Sequence, residues 1–378
     1  MPTIIDRYML RQFIQVLVIC LMSLIGLYTV IDAFSHLDHF VDYAGKHGNL
    51  LKIMGTYYAY RSVAFFDRTS GTLTLIALMF TITWIQRHHE MTALIAAGIS
   101  RVRVLRPVLL AAIGMSLLAA ANREFIMPNI REHLANDSKN IGGEQQTDLQ
   151  SRFDSQTGIL LGGEKIVAAD HKIVNPSFVL PRQFDQFGRQ LTAHDAIYLP
   201  ADAKHPSGYL FNNIIAPKAL LKSPALVSGE KAIVMTPIGS DWLQHDQVFV
   251  VSDVSFEFLA AGASWRDFAS THEMITQLRS PSTDLGADVR VAIHSRLIQP
   301  FLDTTLLFLG LPFVVTRTNR NPFIAIGLCL AVVTIFMILE LGCQSLGSGG
   351  WLAPSFAAWL PLMISAPIAA AMSDTLYQ

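Results

Sequence analysis

The sequence predicts an α-helical membrane protein with six crossing helices, three on each side of a large β-rich insert. Three observations predict it. The 378 residues are 51% hydrophobic and only 15% charged, whereas soluble chains carry roughly 25% charged residues. Six stretches are apolar over about the 20 residues that a helix needs to cross a bilayer. Between the third and fourth lie residues 123–296, which hold no comparable run but several short β-like segments. A net charge of −1 with a mean hydropathy of +0.39 excludes an ordinary cytosolic enzyme, a disordered chain and a basic nucleic-acid binder. Cys20, Cys329 and Cys343 all sit in apolar stretches, which excludes a disulfide framework.

The first span is read over 13–31. It is too long for the apolar region of a cleavable signal peptide, and no small-x-small cleavage site follows it. The second span covers 69–85, with an alternative start at Ser62, and the third covers 104–122. A helical extension is expected from Asn122 to about Asn140. Short β-like runs follow at 158–161, 165–168, 177–180, 196–199, 208–215, 232–235 and 247–259, separated by turn residues such as Asn175-Pro176, Phe187-Gly188 and His205-Pro206-Ser207-Gly208. The last run alternates from Gln247 to Leu259 and reads as one half-buried strand. Several short strands at this spacing predict a β-sandwich or jelly roll. A helix over 264–279, stopped by Pro281, returns the chain to the membrane. Spans four, five and six then cover 297–316, 321–339 and 351–373, and residues 341–373 contain no charge. The predicted division is 1–122, 123–296 and 297–378.

Orientation follows from Lys and Arg in the short loops. Arg7, Arg11, Arg87, Arg101, Arg103, Arg106, Arg317 and Arg320 all fall on one side if both termini are cytoplasmic; Lys46, Lys52 and Arg61 fall on the other. The majority places 123–296 outside the cytoplasm.

Few residues suggest bond-making chemistry. His88-His89-Glu90 lacks the second histidine one helical turn on, because position 93 is Ala, so the zinc-protease spacing fails. No phosphate-binding Gly-x-x-x-x-Gly-Lys loop exists; Gly347-Ser348-Gly349-Gly350 has no lysine. His294, Ser295 and Asp303 make a triad only on paper, since no nucleophile elbow surrounds Ser295. More informative is the segment from Glu90 to Ser100. Met91, Leu94, Ile95 and Gly98 recur at helical spacing and give a short helix one apolar stripe. Glu90 suits its N-terminus and Gly98 its C-terminal cap. The stripe either packs on the chain's own spans or the lipid interface, or docks a cytoplasmic partner.

The stretch Ile85-Gln86-Arg87-His88-His89-Glu90-Met91-Thr92-Ala93-Leu94-Ile95-Ala96-Ala97-Gly98-Ile99-Ser100 resembles the LptF/LptG (YjgP/YjgQ) permease family. So do the opening 6–13, the 124–128 stretch, Gln299-Pro300-Phe301 and the 351–361 stretch at the sixth span. This resemblance implies one permease of a lipopolysaccharide exporter in a bacterial inner membrane, with six helices around a periplasmic jelly roll. It implies a second permease of the same kind, a cytoplasmic ATPase dimer that carries the ATP and Mg, and a periplasmic bridge of jelly-roll proteins that receives the lipid. A coupling helix at about 88–100 would then meet the ATPase through Glu90, Leu94, Ala97, Gly98, Ile99, Ser100 and Arg101. This sequence departs from the pattern near the outer end of span one, where basic residues are usual and Asp32, Asp38 and Asp42 stand instead. A proline usual near the start of span two is replaced in that neighbourhood by Gly71.

Asp32, Arg61 and Arg68 are the candidate lipid contacts. For Arg61 and Arg68 the alternative is an interfacial ion pair with Asp67 and snorkelling side chains. Asp303 and Glu340 are expected to mark helix ends. The rival functions are a non-transporting scaffold that couples an ATPase to envelope proteins, and an intramembrane lipid-modifying enzyme. The latter would need clustered ionisable residues at one membrane depth.

Overall fold

The computed structural model describes residues 4–135, 147–168, 170–202, 205–228, 231–238, 240, 242–261, 265–282, 285–315 and 322–373. Arg317 and Arg320, two of the orientation-setting arginines, lie outside the described residues, as does 136–140 of the expected helical extension. The chain divides into a helical unit, Met1–Ile130 with Gly286–Gln378, and a sheet unit, Arg131–Leu285.

In chain order the helical unit first contains α1 (Ile4–Ser35), α2 (Leu37–His47), α3 (Leu50–Arg87), α4 (Glu90–Ala96), α5 (Arg101–Ala121), a π-helical turn (Asn122–Ile126) and α6 (Met127–Asn129). The sheet unit follows with α7 (Arg131–Ala135), β1 (Thr147–Asp148), β2 (Arg152–Asp154), β3 (Ile159–Leu161), β4 (Gly163–Val167), β5 (Lys172–Val179), β6 (Gln190–Leu199), β7 (Gly208–Ala216), β8 (Leu226–Ser228), β9 (Lys231–Met235), β10 (Gln247–Val251), α8 (Phe256–Ala261), α9 (Trp265–Phe268) and α10 (Thr271–Arg279). The chain ends with α11 (Ala287–Val315), α12 (Pro322–Ser348) and α13 (Pro354–Ser373).

Among the described residues five helices are long and apolar enough to cross a bilayer: Ile4–Ser35, Leu50–Arg87, Arg101–Asn129, Gly327–Ser348 and Pro354–Met372. α11 has 29 residues and packs on α13, α12, α5 and α3. Several helices run well past their apolar windows. α3 has 38 residues, which is about 57 Å of helix against a hydrocarbon core of about 30 Å. Its first turns, with Lys52 and Arg61, are too polar for a hydropathy window. They are helical because the Asn49 side chain caps Leu51 N–H at 3.1 Å and because Phe40 of α2 packs on Tyr57 and Tyr58. α12 likewise continues to Ser348, so Glu340 lies about two turns inside it and not at its end. Asp303 is also interior, in the middle of α11. The expectation that these two carboxylates mark helix ends is therefore corrected.

In lipid, helices gain little by hiding apolar area from one another, and close packing with small residues has to hold them. α3 and α11 show this reciprocally. A Cβ on Gly71 would stand 2.5 Å from Asp303 Oδ1, and one on Gly310 would stand 2.6 Å from Leu75 Cδ1. Each helix gives up a side chain where the other inserts one. The core beside this crossing contains fully buried Phe13, Leu75, Leu78, Ile82, Ile85, Val104 and Leu311.

The sheet unit holds one antiparallel sheet in the order β1-β4-β5-β6-β7-β10-β9-β8, with β2 and β3 attached through β5. Its inner face is a packed aromatic core: Phe178 meets Phe211 edge-on at 4.7 Å and Tyr209 at 5.5 Å. Three local expectations are corrected. Asn175-Pro176 is not a turn but lies inside β5, where Asn175 takes φ 48° and Pro176 pairs opposite Gly163. The 247–259 strand stops at Val251 because the next residues bond to distant parts of the sheet unit. Ser252 Oγ donates to buried Asp154 at 2.7 Å, and the Val254 carbonyl accepts from Tyr209 Oη at 3.0 Å. Phe256 then opens α8. The alternation was not one-sided either, since Val248, Phe249 and Val250 are all fully buried. The helix expected over 264–279 breaks into α9 and α10 at Ser270, which starts α10 with a capping box to Glu273.

Candidate functional site

The loop between α3 and α5 is built around two left-handed residues. α3 ends as His88 turns its Nδ1 to the Trp84 carbonyl at 2.8 Å and lays its ring on the Trp84 indole. His89 then adopts φ 58°, a conformation that costs a non-glycine residue about 1–2 kcal/mol, and reverses the chain into α4. The seven-residue helix closes with a Schellman motif. Gly98 takes φ 84°, Gly98 N–H reaches Ile95 O at 2.9 Å and Ile99 N–H reaches Leu94 O at 3.1 Å. Leu94 and Ile99, the apolar pair that accompanies this cap, both pack on the helical core, and Met91 is buried in it.

The stripe therefore splits. Met91 and Leu94 face inward, whereas Ile95 and Gly98 join Thr92, Ala93, Ala96 and Ala97 on an exposed face of mostly small residues. Ser100 is exposed and precedes α5 without a side-chain cap, and Arg101 is half-buried. Glu90 is not simply an outward charge: its two carboxylate oxygens accept from Tyr8 Oη at 3.1 and 2.9 Å. Nearby, Arg103 Nη2 of α5 lies 3.7 Å from Asp6 Oδ2 of α1. Sequence reasoning quoted Asp6 and Tyr8 as part of a motif but assigned them no role. Nothing in one sequence pairs position 8 with position 90.

The candidate lipid contacts occupy different surroundings. Asp32 accepts from Tyr58 Oη at 2.9 Å and stands 3.3 Å from His36. Arg61 donates through Nε to Tyr57 Oη at 3.2 Å and lies over the same ring. Arg68, two turns further along α3, is exposed. Asp67 points inward and takes a two-oxygen contact from Arg123 Nε, at 3.2 and 3.0 Å. Arg123 comes from the π-helical turn after α5, whose extra residue re-aims the side chain. Asp303 accepts from Ser116 Oγ at 3.0 Å and from Gln299 Nε2 at 3.2 Å, which ties α5 to α11 next to Gly71. Glu340 accepts from Gln344 at 3.2 Å. Asp67 and Asp303 thus find polar partners on neighbouring helices, whereas the buried hydroxyls of Thr83 and Ser295 have none among the described residues. No cluster of three or more His, Cys, Asp or Glu side chains placed to hold a metal occurs among the described residues.

A bundle of long apolar helices joined to a large antiparallel sheet defines a multi-pass membrane protein. The family model for the lipopolysaccharide export system permease LptF/LptG matches residues 7–178 and 209–374. The chain belongs to the LptF/LptG family, and is a transport permease that takes part, with partner proteins, in lipopolysaccharide export. No curated protein matches it.

Proposed function

We propose that this chain is the membrane half of an ABC-type exporter that draws lipopolysaccharide out of the inner membrane, with α4 as the surface that engages a cytoplasmic ATPase dimer. One observation carries the reading. A short helix held between two spans turns Met91 and Leu94 inward and offers Thr92, Ala93, Ile95, Ala96, Ala97 and Gly98 outward. Small residues allow close approach, and Glu90, Leu94, Ile99, Ser100 and Arg101 frame them. ATP and Mg belong to the ATPase.

α11 serves as the fourth of six spans, beside the five apolar helices. Both termini are cytoplasmic, the sheet unit is periplasmic, and its continuous ladder acts as the jelly roll that passes lipid to a bridge of similar domains. A second LptF/LptG-type permease completes the pair. Arg61 and exposed Arg68, on one face of α3, meet lipid phosphate groups, with Asp32 and Tyr58 fixing the neighbouring helix end.

Ala97→Arg tests the docking surface. It places a charge on an exposed position that touches nothing in the core, so the chain should still fold and insert. Burying that unpaired charge in an interface should cost association with the co-purifying ATPase about tenfold or more. Recovery of the ATPase at the parental level would overturn the docking role of α4.

A further inference from the structure

We infer that α4 acts on the membrane unit through the first helix, and that Tyr8 is the positioning residue of this connection; the inference rests on α4 being the docking surface. Chain connectivity alone would send any displacement of α4 into α3 and α5. The structure adds a third route. α4 and the start of α5 are fastened to the same end of α1 by two polar ties, Tyr8 Oη to both Glu90 oxygens at 3.1 and 2.9 Å and Asp6 to Arg103 at 3.7 Å. Between them lies an apolar seat. Met9 and Phe13 of α1, 1% and 0% exposed, share one core with Met91, and Ile5 packs on that core together with Leu94 and Ile99.

This end is also where α1 is held most firmly. Its buried residues, Met9, Phe13 and Leu17, all fall in its first half. Further along, Cys20 and Leu21 are only partly buried against the core, Tyr28 stacks on Phe65 at 5.7 Å and Tyr58 donates a hydrogen bond to Asp32. A helix gripped at one end and lightly packed along the rest moves as a lever when its gripped end is turned. Glu90 also follows His89, whose left-handed backbone persists only if neighbouring contacts over-determine it. The Tyr8 hydroxyl is one such contact. A charge-assisted hydrogen bond has a defined direction, so it fixes the angle between α4 and α1 as well as their separation.

The test uses the full chain in two arms. In nanodiscs without ATPase, a spin label at Ala97→Cys reports the mobility of α4, with a label at Gln186→Cys in the sheet unit as control. Tyr8→Phe, which removes only the hydroxyl, should shift the Ala97 spectrum towards the mobile component and leave the control unchanged. Arg103→Gln, which weakens the second tie, should shift it in the same direction. In proteoliposomes with the co-purifying ATPase, Tyr8→Phe should leave ATPase association unchanged but lower lipid released per ATP hydrolysed by about tenfold or more, the effect of one charge-assisted bond. An unchanged Ala97 spectrum would overturn the tie. A shifted spectrum with parental lipid release per ATP would overturn its role in transmission. If Ala97→Arg still binds the ATPase normally, the docking reading fails by itself, and with it the transmission role, whereas the spectrum still decides the tie.

Discussion

At the scale of single residues, many of the polar groups that this chain removes from water find partners inside it. Asp154 shows how. It is fully buried in the sheet unit, yet its oxygens accept from Ser252 Oγ at 2.7 Å and from the backbone N–H groups of Gln156 and Thr157 at 3.0 and 3.3 Å. Tyr209 is the sharper case. Its ring is fully buried and its hydroxyl donates to the Val254 carbonyl. Burial, with Tyr198 and Asp154 adding, pushes its phenol well above its ordinary range. Folded and unfolded chains both keep the proton below about pH 10, so the full contribution of Tyr209 is present there. Above that pH the unfolded chain ionises first, and stability falls as pH rises towards the folded value. Tyr209→Phe should cost about 1 kcal/mol at pH 7 through the lost hydrogen bond, but should flatten the alkaline loss. Thermal melts of the full chain at pH 7 and above pH 10 check both signs. A mutant as steep in alkali as the parent would show that another group sets the alkaline limit.

At the scale of elements, helix pairs are specified by who yields space to whom. In the sequence Gly310 is one glycine among others in the spans, and Gly71 stands only as a departure from a family-typical proline. The crossing of α3 and α11 explains both. Gly71→Ala would drive a methyl to 2.5 Å from Asp303 Oδ1, and Asp303 cannot swing away without leaving Ser116 and Gln299. Overpacking of this kind costs about 1–3 kcal/mol, read as a lowered Tm of the chain in detergent. Combining it with Asp303→Ala should cost less than the sum of the two single changes, because the clash is then absent. Additive losses would mean that the two sites do not meet. The short α4 obeys a different rule. Substituting Gly98 would act through its φ of 84°, since a Cβ there meets nothing within 4 Å. Ala97 is accordingly the cleaner probe of docking.

At the scale of the whole molecule, the proposed orientation is decided by one labelling comparison. Gln186→Cys, exposed in the sheet unit, should react with a membrane-impermeant thiol reagent in intact spheroplasts, while Ser100→Cys, exposed between α4 and α5, should react only after lysis. The three native cysteines are buried or half-buried in helices, so the background is low. Reversed labelling would invert the topology drawn from the arginine loops.

The sequence by itself determined the class of protein, the family and the approximate places of the spans. These rest on composition, on runs of apolar residues and on local motifs, which are one-dimensional properties. It also placed a short helix after Glu90, because the cap residue Gly98 and the helical spacing of Met91 and Leu94 are local. Tertiary structure alone decided where helices end, since Lys52 and Arg61 are helical through an Asn49 cap and aromatic packing that hydropathy does not register. It decided that the strand beginning at Gln247 stops at Val251, because Asp154, nearly a hundred residues away in sequence, captures Ser252. It also decided the partners of the charges: Asp67 with Arg123 of the π-helical turn, and Glu90 with Tyr8. A hydrogen bond depends on distance in space, and in a bundle that distance is set by how helices cross, which no single helix records.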